Sequence, residues 1–257
     1  MIIRLSVGPM NDSVPEGVLS VVVPMYNEAG TLAEVLGKIL TQKMVGEVVL
    51  VDDGSSDGTA KVAKEWEVKE PRVRFIQHER NQGKGAALRT GFQSATKPYV
   101  IVQDADLEYD PGEFHKVIGP LADDRADVVY GSRYLKKDTR VVLRFWHTMG
   151  NRFLTLLSNM MSDIHVTDME TCYKGFRREV IQAIPIEENR FGFEPEVTAK
   201  LGKMKLRLME TSVSYYPRSY DEGKKIGMRD GFRAIWCIFR YNVLDREPIE
   251  WKSSGDE

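Results

Sequence analysis

The sequence predicts an α/β fold, a mostly parallel central sheet flanked by helices. Three observations carry this. Strand-like and helix-like stretches alternate through residues 18–134, the pattern of parallel strands joined by crossover helices. The strand-like stretches are nearly unbroken apolar runs, as in strands buried on both faces. Polar clusters then follow the strands, at Tyr26–Glu28, Asp52–Asp57, Asp104–Glu108 and Ser132–Arg133. One sheet edge therefore gathers most of the polar chemistry, and open α/β sheets bind their ligands at the carboxyl edge.

The elements follow in order. Residues 1–17 read as a loose arm, broken by Gly8, Pro9, Asn11, Asp12 and Pro15. Val18 to Pro24 is a buried strand. Leu32, Val35, Leu36, Ile39 and Leu40 then fall on one helical face. Glu47 to Val51 is the second strand, followed by a helix with Val62, Ala63 and Trp66 inward. Val73 to Gln77 is the third. Asn81-Gln-Gly83-Lys84-Gly85 turns into a helix from Ala86 to Ala95. The fourth strand begins at Tyr99. Asp110-Pro111 opens the next helix, with Asp as N-cap and Pro at the first helical position. Asp127 to Tyr130 is the fifth strand.

Beyond residue 134 the pattern changes. Trp146, Met149, Phe153, Leu156 and Met160 recur at spacings of three and four, an apolar helical stripe read as facing the core. Asp168 to Lys174 precedes a short segment ending at Pro185. Phe191-Gly-Phe-Glu194-Pro-Glu196 opens another helix, Lys205 to Tyr216 alternates like a strand, and 217–225 is a loop. Arg229 to Leu244 is a final helix with Phe232, Ile235, Trp236, Phe239 and Val243 on one side, again read as core. Arg229, Arg233 and Arg240 flank that side, however, and a basic-rimmed apolar face also suits an anionic membrane surface. The polar tail, Trp251 to Glu257, is expected to fray.

Composition narrows the function classes. At 257 residues with 42% hydrophobic content, the chain is one large domain or a domain with an extension. A net charge of −2 and a pI near 6.2 give no general pull toward nucleic acid. Two cysteines, Cys172 and Cys237, imply no disulfide framework and fit a reducing compartment. Met1-Ile-Ile-Arg-Leu-Ser carries no secretory pattern, and no apolar run approaches the ~18 residues of a membrane span. The expectation is a cytoplasmic protein, free to rest peripherally on a membrane. His78, His115, His147 and His165 have no ligand spacing and read as structural or exposed.

The stretch Tyr99-Val-Ile-Val-Gln-Asp104-Ala-Asp106-Leu-Glu108 is the centre of the reading. An apolar strand ends in three carboxylates at every second position. In extended geometry alternate side chains share a face, so the three acids repel one another unless a cation sits among them. Hard oxygen ligands suit Mg²⁺ or Mn²⁺. The competing reading is an acidic loop after a strand; the spacing and the rest of the chain favour the metal.

Five motifs stand in order: Val23-Pro-Met-Tyr-Asn-Glu28, Val51-Asp-Asp-Gly-Ser-Ser-Asp-Gly-Thr59, Asn81-Gln-Gly-Lys-Gly85, Gln103-Asp-Ala-Asp106 and Gly131-Ser-Arg133. Together they resemble family-2 inverting glycosyltransferases of the GT-A fold, above all the dolichol-phosphate mannose and glucose synthases and bacterial polyprenyl-phosphate glycosyltransferases. The match spans residues 18–225. The resemblance implies a nucleotide-sugar half at 18–134, an acceptor half at 135–225, and a C-terminal helix and tail at 226–257. It implies metal-dependent transfer of a hexose from a UDP- or GDP-sugar to a polyprenyl phosphate. The alternatives are a saccharide hydroxyl as acceptor, a nucleotidyltransferase releasing pyrophosphate, and a non-catalytic nucleotide-sugar binder, against which the intact carboxylate set argues.

The resemblance also assigns residues. Pro24, Tyr26 and Glu28 line the nucleotide pocket, and Asp53, with Val51 beside it, hydrogen-bonds a base whose ring offers N–H donors. The alternative is that Asp52, Asp53 and Asp57 cap a turn and a helix, the reading favoured for Asp57. Lys84 is either presented to the diphosphate or a surface lysine at a helix start; the G-x-G-x-x-G dinucleotide pattern is absent. Asp104, Ala105 and Asp106 meet metal and nucleotide, and Glu108 stands where the mannose synthases usually carry Gln. Arg133, Arg218 and Lys224 or Lys225 match phosphate-holding positions for the acceptor. A saccharide acceptor would instead need a base, for which Asp168 and Glu170 are the candidates. Asp168 aligns with the acid before the synthases' Gly-Phe-Arg, where Cys172-Tyr-Lys174 stands here. Glu170 and Glu194 also read as members of a buried pair with an arginine.

Overall fold

The computed structural model describes residues 14–135, 141–204, 206–218, 228–245, 247–249 and 251. Most of the expected N-terminal arm, the polar tail after Trp251, most of the 217–225 loop and both Lys224 and Lys225 lie outside the described residues.

The first half builds β1 (Leu19–Met25), α1 (Leu32–Leu40), β2 (Val45–Asp52), α2 (Thr59–Lys69), β3 (Val73–Gln77), α3 (Lys84–Ser94) and β4 (Tyr99–Val102). After β4 come a 3-10 turn at Pro111–Glu113, α4 (Phe114–Ala122) and β5 (Val128–Ser132). The Asp110 side chain accepts from Gly112 N at 2.9 Å and so caps that turn, as its Asp-Pro signature predicts. The second half contains α5 (Phe145–Ser162), β6 (Lys174–Arg177), α6 (Arg178–Ala183), α7 (Phe193–Gly202), β7 (Leu208–Ser212) and α8 (Met228–Phe239), which runs on into a π turn at Arg240–Leu244.

The seven strands lie in the order β3-β2-β1-β4-β6-β5-β7, and β6 runs antiparallel to both of its neighbours. Chain order reverses on either side of β1, between β2 and β4. That switch point opens a crevice at the carboxyl ends of the strands. Side-chain alternation divides β1 between two cores: Val21 and Val23 pack in one cluster with α1 and α4, and Val22 packs in the other with Leu88 and Phe92 of α3. Each such fully buried aliphatic side chain contributes roughly 1.5–3 kcal/mol.

The sequence gives no apolar run for β6, which reads Lys-Gly-Phe-Arg and extends because it fills the gap between β4 and β5. Only glycine fits at position 175, since a Cβ there would lie 2.5 Å from Val117 Cγ1. The strand expected over Lys205–Tyr216 is only Leu208–Ser212.

One expectation is reversed. The α5 stripe faces outward: Trp146 is 82% exposed, Phe153 57% and Met160 74%. The helix buries Asn151, Thr155 and Ser158 instead. Two of the three use their polar groups: Thr155 Oγ1 accepts from Met169 N at 3.2 Å, and the Thr155 hydroxyl donates to Asn151 Oδ1, while the Ser158 hydroxyl has no partner among the described residues. In α8, Phe232, Trp236 and Phe239 are likewise exposed, while Ala234, Cys237 and Ile238 turn inward. Helical spacing identifies a stripe but not the side it turns to the protein. Among the described residues no helix is long and apolar enough to cross a membrane.

Candidate active site

A cleft of about 970 Å³ opens at the carboxyl edge of the sheet, walled by the ends of β1, β2 and β4 and by α5 and α8. Most residues singled out from the sequence meet there. Pro24, Tyr26, Glu28, Asp53, Lys84, Asp104, Ala105, Asp106, Glu108, Arg133, Glu170 and Arg218 all line it. The Val51 and Asp168 side chains do not. Val51 is fully buried beneath, against Ala87 and Ile76.

At the β1–β2 end, backbone and acids interlock. Asn27 takes a left-handed turn (φ 55°) and its side chain accepts from Ser56 N at 2.9 Å. Asp57 accepts from Thr59 N and Ala29 N, at 2.9 and 3.2 Å, so it ties the β1 loop to the start of α2. Asp52 accepts from Ser55 N and from the Gln77 side chain. Both are structural acids. Asp53 is held more tightly: Oδ1 accepts from Gln82 N (2.9 Å) and lies 2.8 Å from His78 Nδ1, and Oδ2 accepts from Gly83 N (2.6 Å). One lone pair of Oδ2 is left for the cleft. His78, whose other ring nitrogen lies 3.0 Å from Thr90 Oγ1, thus orients the key acid. Its only signal in the sequence is its place directly after a strand.

Gly83 and Gly85 set Lys84. Gly83 has φ 108°, and a Cβ on Gly85 would lie 2.1 Å from Glu188 O. Neither position admits another residue without movement of the chain. Lys84 is not a surface lysine: its side chain is 17% exposed, and Nζ sits 2.7 Å from Asp104 Oδ1 and 2.9 Å from Cys172 Sγ.

The three carboxylates do not converge. The strand ends at Val102, and Leu107 takes a left-handed conformation (φ 63°), so the extended geometry assumed for Asp104, Asp106 and Glu108 is lost. Asp104 turns to Lys84. Glu108 accepts from Tyr215 OH at 2.8 Å and from Arg218 N at 2.9 Å. Asp106 accepts from Glu108 N at 3.1 Å, and its other oxygen lies 3.7 Å from Arg218. Among the described residues no three His, Cys, Asp or Glu side chains form a metal cage. Asp104 and Asp106 still offer hard oxygens in the cleft. That donor set suits Mg²⁺ or Mn²⁺ whose coordination is completed by substrate phosphates.

Arg133 makes a fork to Asp168: Nε to Oδ2 and Nη2 to Oδ1, both at 2.7 Å, with Asp168 fully buried. The pairing engages both oxygens of Asp168 and occupies much of the Arg133 fork. Arg133 also stacks over Tyr215, 5.1 Å from its centroid. Arg218 donates to Glu28 Oε2 at 2.9 Å and to Asp106 O at 3.0 Å, joining the two acidic motifs. Among the described residues Glu170 and Glu194 have no arginine partner; Glu170 Oε1 is buried without a hydrogen bond, and Glu194 Oε1 lies 3.7 Å from Cys172 Sγ. Burial, then the Glu194 carboxylate, pushes Glu170 up to about 8. Burial, with Asp104 close by, also pushes the Cys172 thiol up.

Comparison with known proteins gives the family. Residues 20–184 match the model of glycosyl transferase family 2. The chain belongs to that family. This glycosyltransferase is 26% identical over 231 residues to the undecaprenyl-phosphate mannosyltransferase of Micrococcus luteus, covering 88% of this chain and 94% of the relative. It is 24% identical over 234 residues to a UDP-N-acetylglucosamine–dolichyl-phosphate N-acetylglucosaminyltransferase of Methanococcus voltae, covering 84% and 93%. Its fold is GT-A. Glucosyl-3-phosphoglycerate synthase of Mycobacterium tuberculosis, solved with Mn²⁺, UDP and glucosyl-3-phosphoglycerate, superposes with a TM-score of 0.67 at 19% identity, over 88% of this chain and 80% of that one.

Proposed function

We propose that this glycosyltransferase moves a hexose, with inversion, from a UDP- or GDP-sugar to a polyprenyl phosphate. One observation carries the choice of acceptor: the polar cleft is bordered by the helices whose exposed faces are apolar. Trp146 and Asn151 of α5 and Ala234 of α8 line the cleft, while Phe145, Met149, Phe153 and Trp236 of the same helices are exposed. A phosphate head beside an apolar rim is what an amphiphilic acceptor requires. Relatives acting on undecaprenyl and dolichyl phosphates support the same reading.

In this reading Asp53 offers its remaining lone pair to a base N–H, with Pro24, Tyr26 and Glu28 around it. Asp104 and Asp106 would hold Mg²⁺ or Mn²⁺, with Ala105 between them, and the ion would supply positive charge against the departing diphosphate without a proton transfer. Lys84 adds a second positive charge on the same side. The acceptor's phosphate monoester loses its second proton at about pH 6, so it attacks as an anion and needs no general base. It needs cations instead, and Arg218, Arg133 and Lys224 or Lys225 are those assigned to it. Arg218 is poised for exchange, since an incoming phosphate competes with Glu28 and Asp106 for its guanidinium. Glu108, engaged by Tyr215 and Arg218, keeps this loop in place and joins the metal shell only if Tyr215 releases it. The protein then works from the cytoplasmic face of a membrane.

The test is nucleoside diphosphate release with Mn²⁺ or Mg²⁺, comparing a short-chain polyprenyl phosphate with free saccharides. Release is expected with the lipid phosphate, lost on chelation and restored by either ion. Turnover with saccharides alone would overturn the acceptor.

A further inference from the structure

Deep in the cleft, past Asp104, two carboxylates stand without a hydrogen-bonded or ion-paired cation among the described residues. Glu194 is 4% exposed, and Glu170 Oε1 is buried with no hydrogen bond. Both face the cleft. Buried polar atoms without partners are rare in folded proteins and mark places where a ligand or water completes the pairing. The nearby ammonium groups are engaged elsewhere: Lys174 donates to the Met169 and Thr171 carbonyls, and Lys84 to Asp104 and Cys172.

We infer that Glu170 and Glu194 form the subsite for the donor's hexose ring and hold its hydroxyls by hydrogen bonds. Geometry gives the order along the cleft. Lys84 bridges Asp104, at the diphosphate end, to Cys172, and Cys172 lies against Glu194. The acid pair therefore stands one side chain beyond the diphosphate, where the sugar follows in a nucleotide sugar. A hydroxyl both donates and accepts. Two neighbouring carboxyl groups in a dry site share a proton more readily than they both ionise, so the pair offers an acceptor and a donor together. A second cation site fits the surroundings less well, because two lysine ammonium groups already stand beside it. Recognition of this kind discriminates strongly between sugars, since an analogue lacking the hydroxyl leaves a buried acid unpaired.

The assignment rests on the nucleotide-sugar reading, and one experiment separates the two. Calorimetric titration of the full chain with Mn²⁺ compares UDP with UDP-glucose or UDP-N-acetylglucosamine, and GDP with GDP-mannose. In Glu170→Gln and Glu194→Gln, affinity for the nucleotide sugar is expected to fall at least tenfold while that for the nucleoside diphosphate stays within twofold. Retained diphosphate binding also certifies the fold. Should an amide variant fail to fold, Glu194→Asp, which keeps the acid one methylene short, gives the same split. Unchanged sugar affinity, or equal loss of both ligands, overturns the subsite. A wild-type protein that binds neither ligand overturns the donor reading and the subsite with it.

Discussion

Among the described residues Asp106 has the least occupied carboxylate of the three acids after β4: one oxygen accepts from Glu108 N and the other lies 3.7 Å from Arg218. Asp106→Asn is expected to lower turnover by about 100-fold or more, the scale of losing a group that stabilises transition-state charge, with the thermal midpoint unchanged. Diphosphate release and a melting curve on one preparation check both halves. Glu170 predicts a pH dependence. Its carboxyl is raised to about 8 in the fold, against an ordinary value of ~4.3. Below the ordinary range both states hold the proton. Above it the unfolded chain releases the proton and the folded protein keeps it, so stability falls as pH rises until the buried group titrates near 8. Urea midpoints should therefore decline between about pH 5 and pH 8 less steeply in Glu170→Gln than in wild type. Equal slopes would show that Glu170 ionises normally. Capping by Asp57 was legible in its Asp-Gly-Thr setting, whereas the pairing of Asp168 with Arg133 was not, because those residues meet from distant parts of the chain.

At the level of elements, the turn before α3 ties the lysine of the cleft to the 188–190 loop. Gly85 lies against Glu188 O with no room for a methyl group. Gly85→Ala must push α3 from that loop and draw Lys84 from Asp104. The expected cost is about 1–3 kcal/mol, the usual range for overpacking, accompanied by weaker nucleoside diphosphate binding. Chemical denaturation and calorimetry measure the two effects. A stable variant with normal binding would mean that the turn is more yielding than its contacts suggest. Helices α5 and α8 show the limit of periodicity: their apolar stripes were visible in the sequence, but α5 buries Asn151, Thr155 and Ser158 instead. Strand β6 was invisible because four residues, two of them charged, carry no apolar pattern.

For the molecule as a whole, the outward aromatic faces of α5 and α8 adjoin the cleft, and the proposed acceptor is a lipid. Trp146→Ser combined with Phe153→Ser removes two exposed aromatic groups from this surface and is expected to lower partition onto anionic vesicles several-fold. Binding of nucleoside diphosphate should persist, because the sheet edge that holds it is untouched. Vesicle sedimentation, with added salt to separate the electrostatic part, reads the first, and calorimetry the second. Partition equal to wild type would place lipid contact elsewhere.

The sequence by itself determined the family, the parallel α/β frame and the edge where chemistry gathers, because these depend on local runs: apolar strands, the turn residues after them and acids in order. It could not determine which acids remain available. Glu108 is engaged by Tyr215 and Asp168 by Arg133, while Asp104 faces the cleft beside Lys84, and each partner arrives from a different element. Side-chain pairing and the outward turn of an apolar stripe are set by packing between distant segments, so only the tertiary structure decided them.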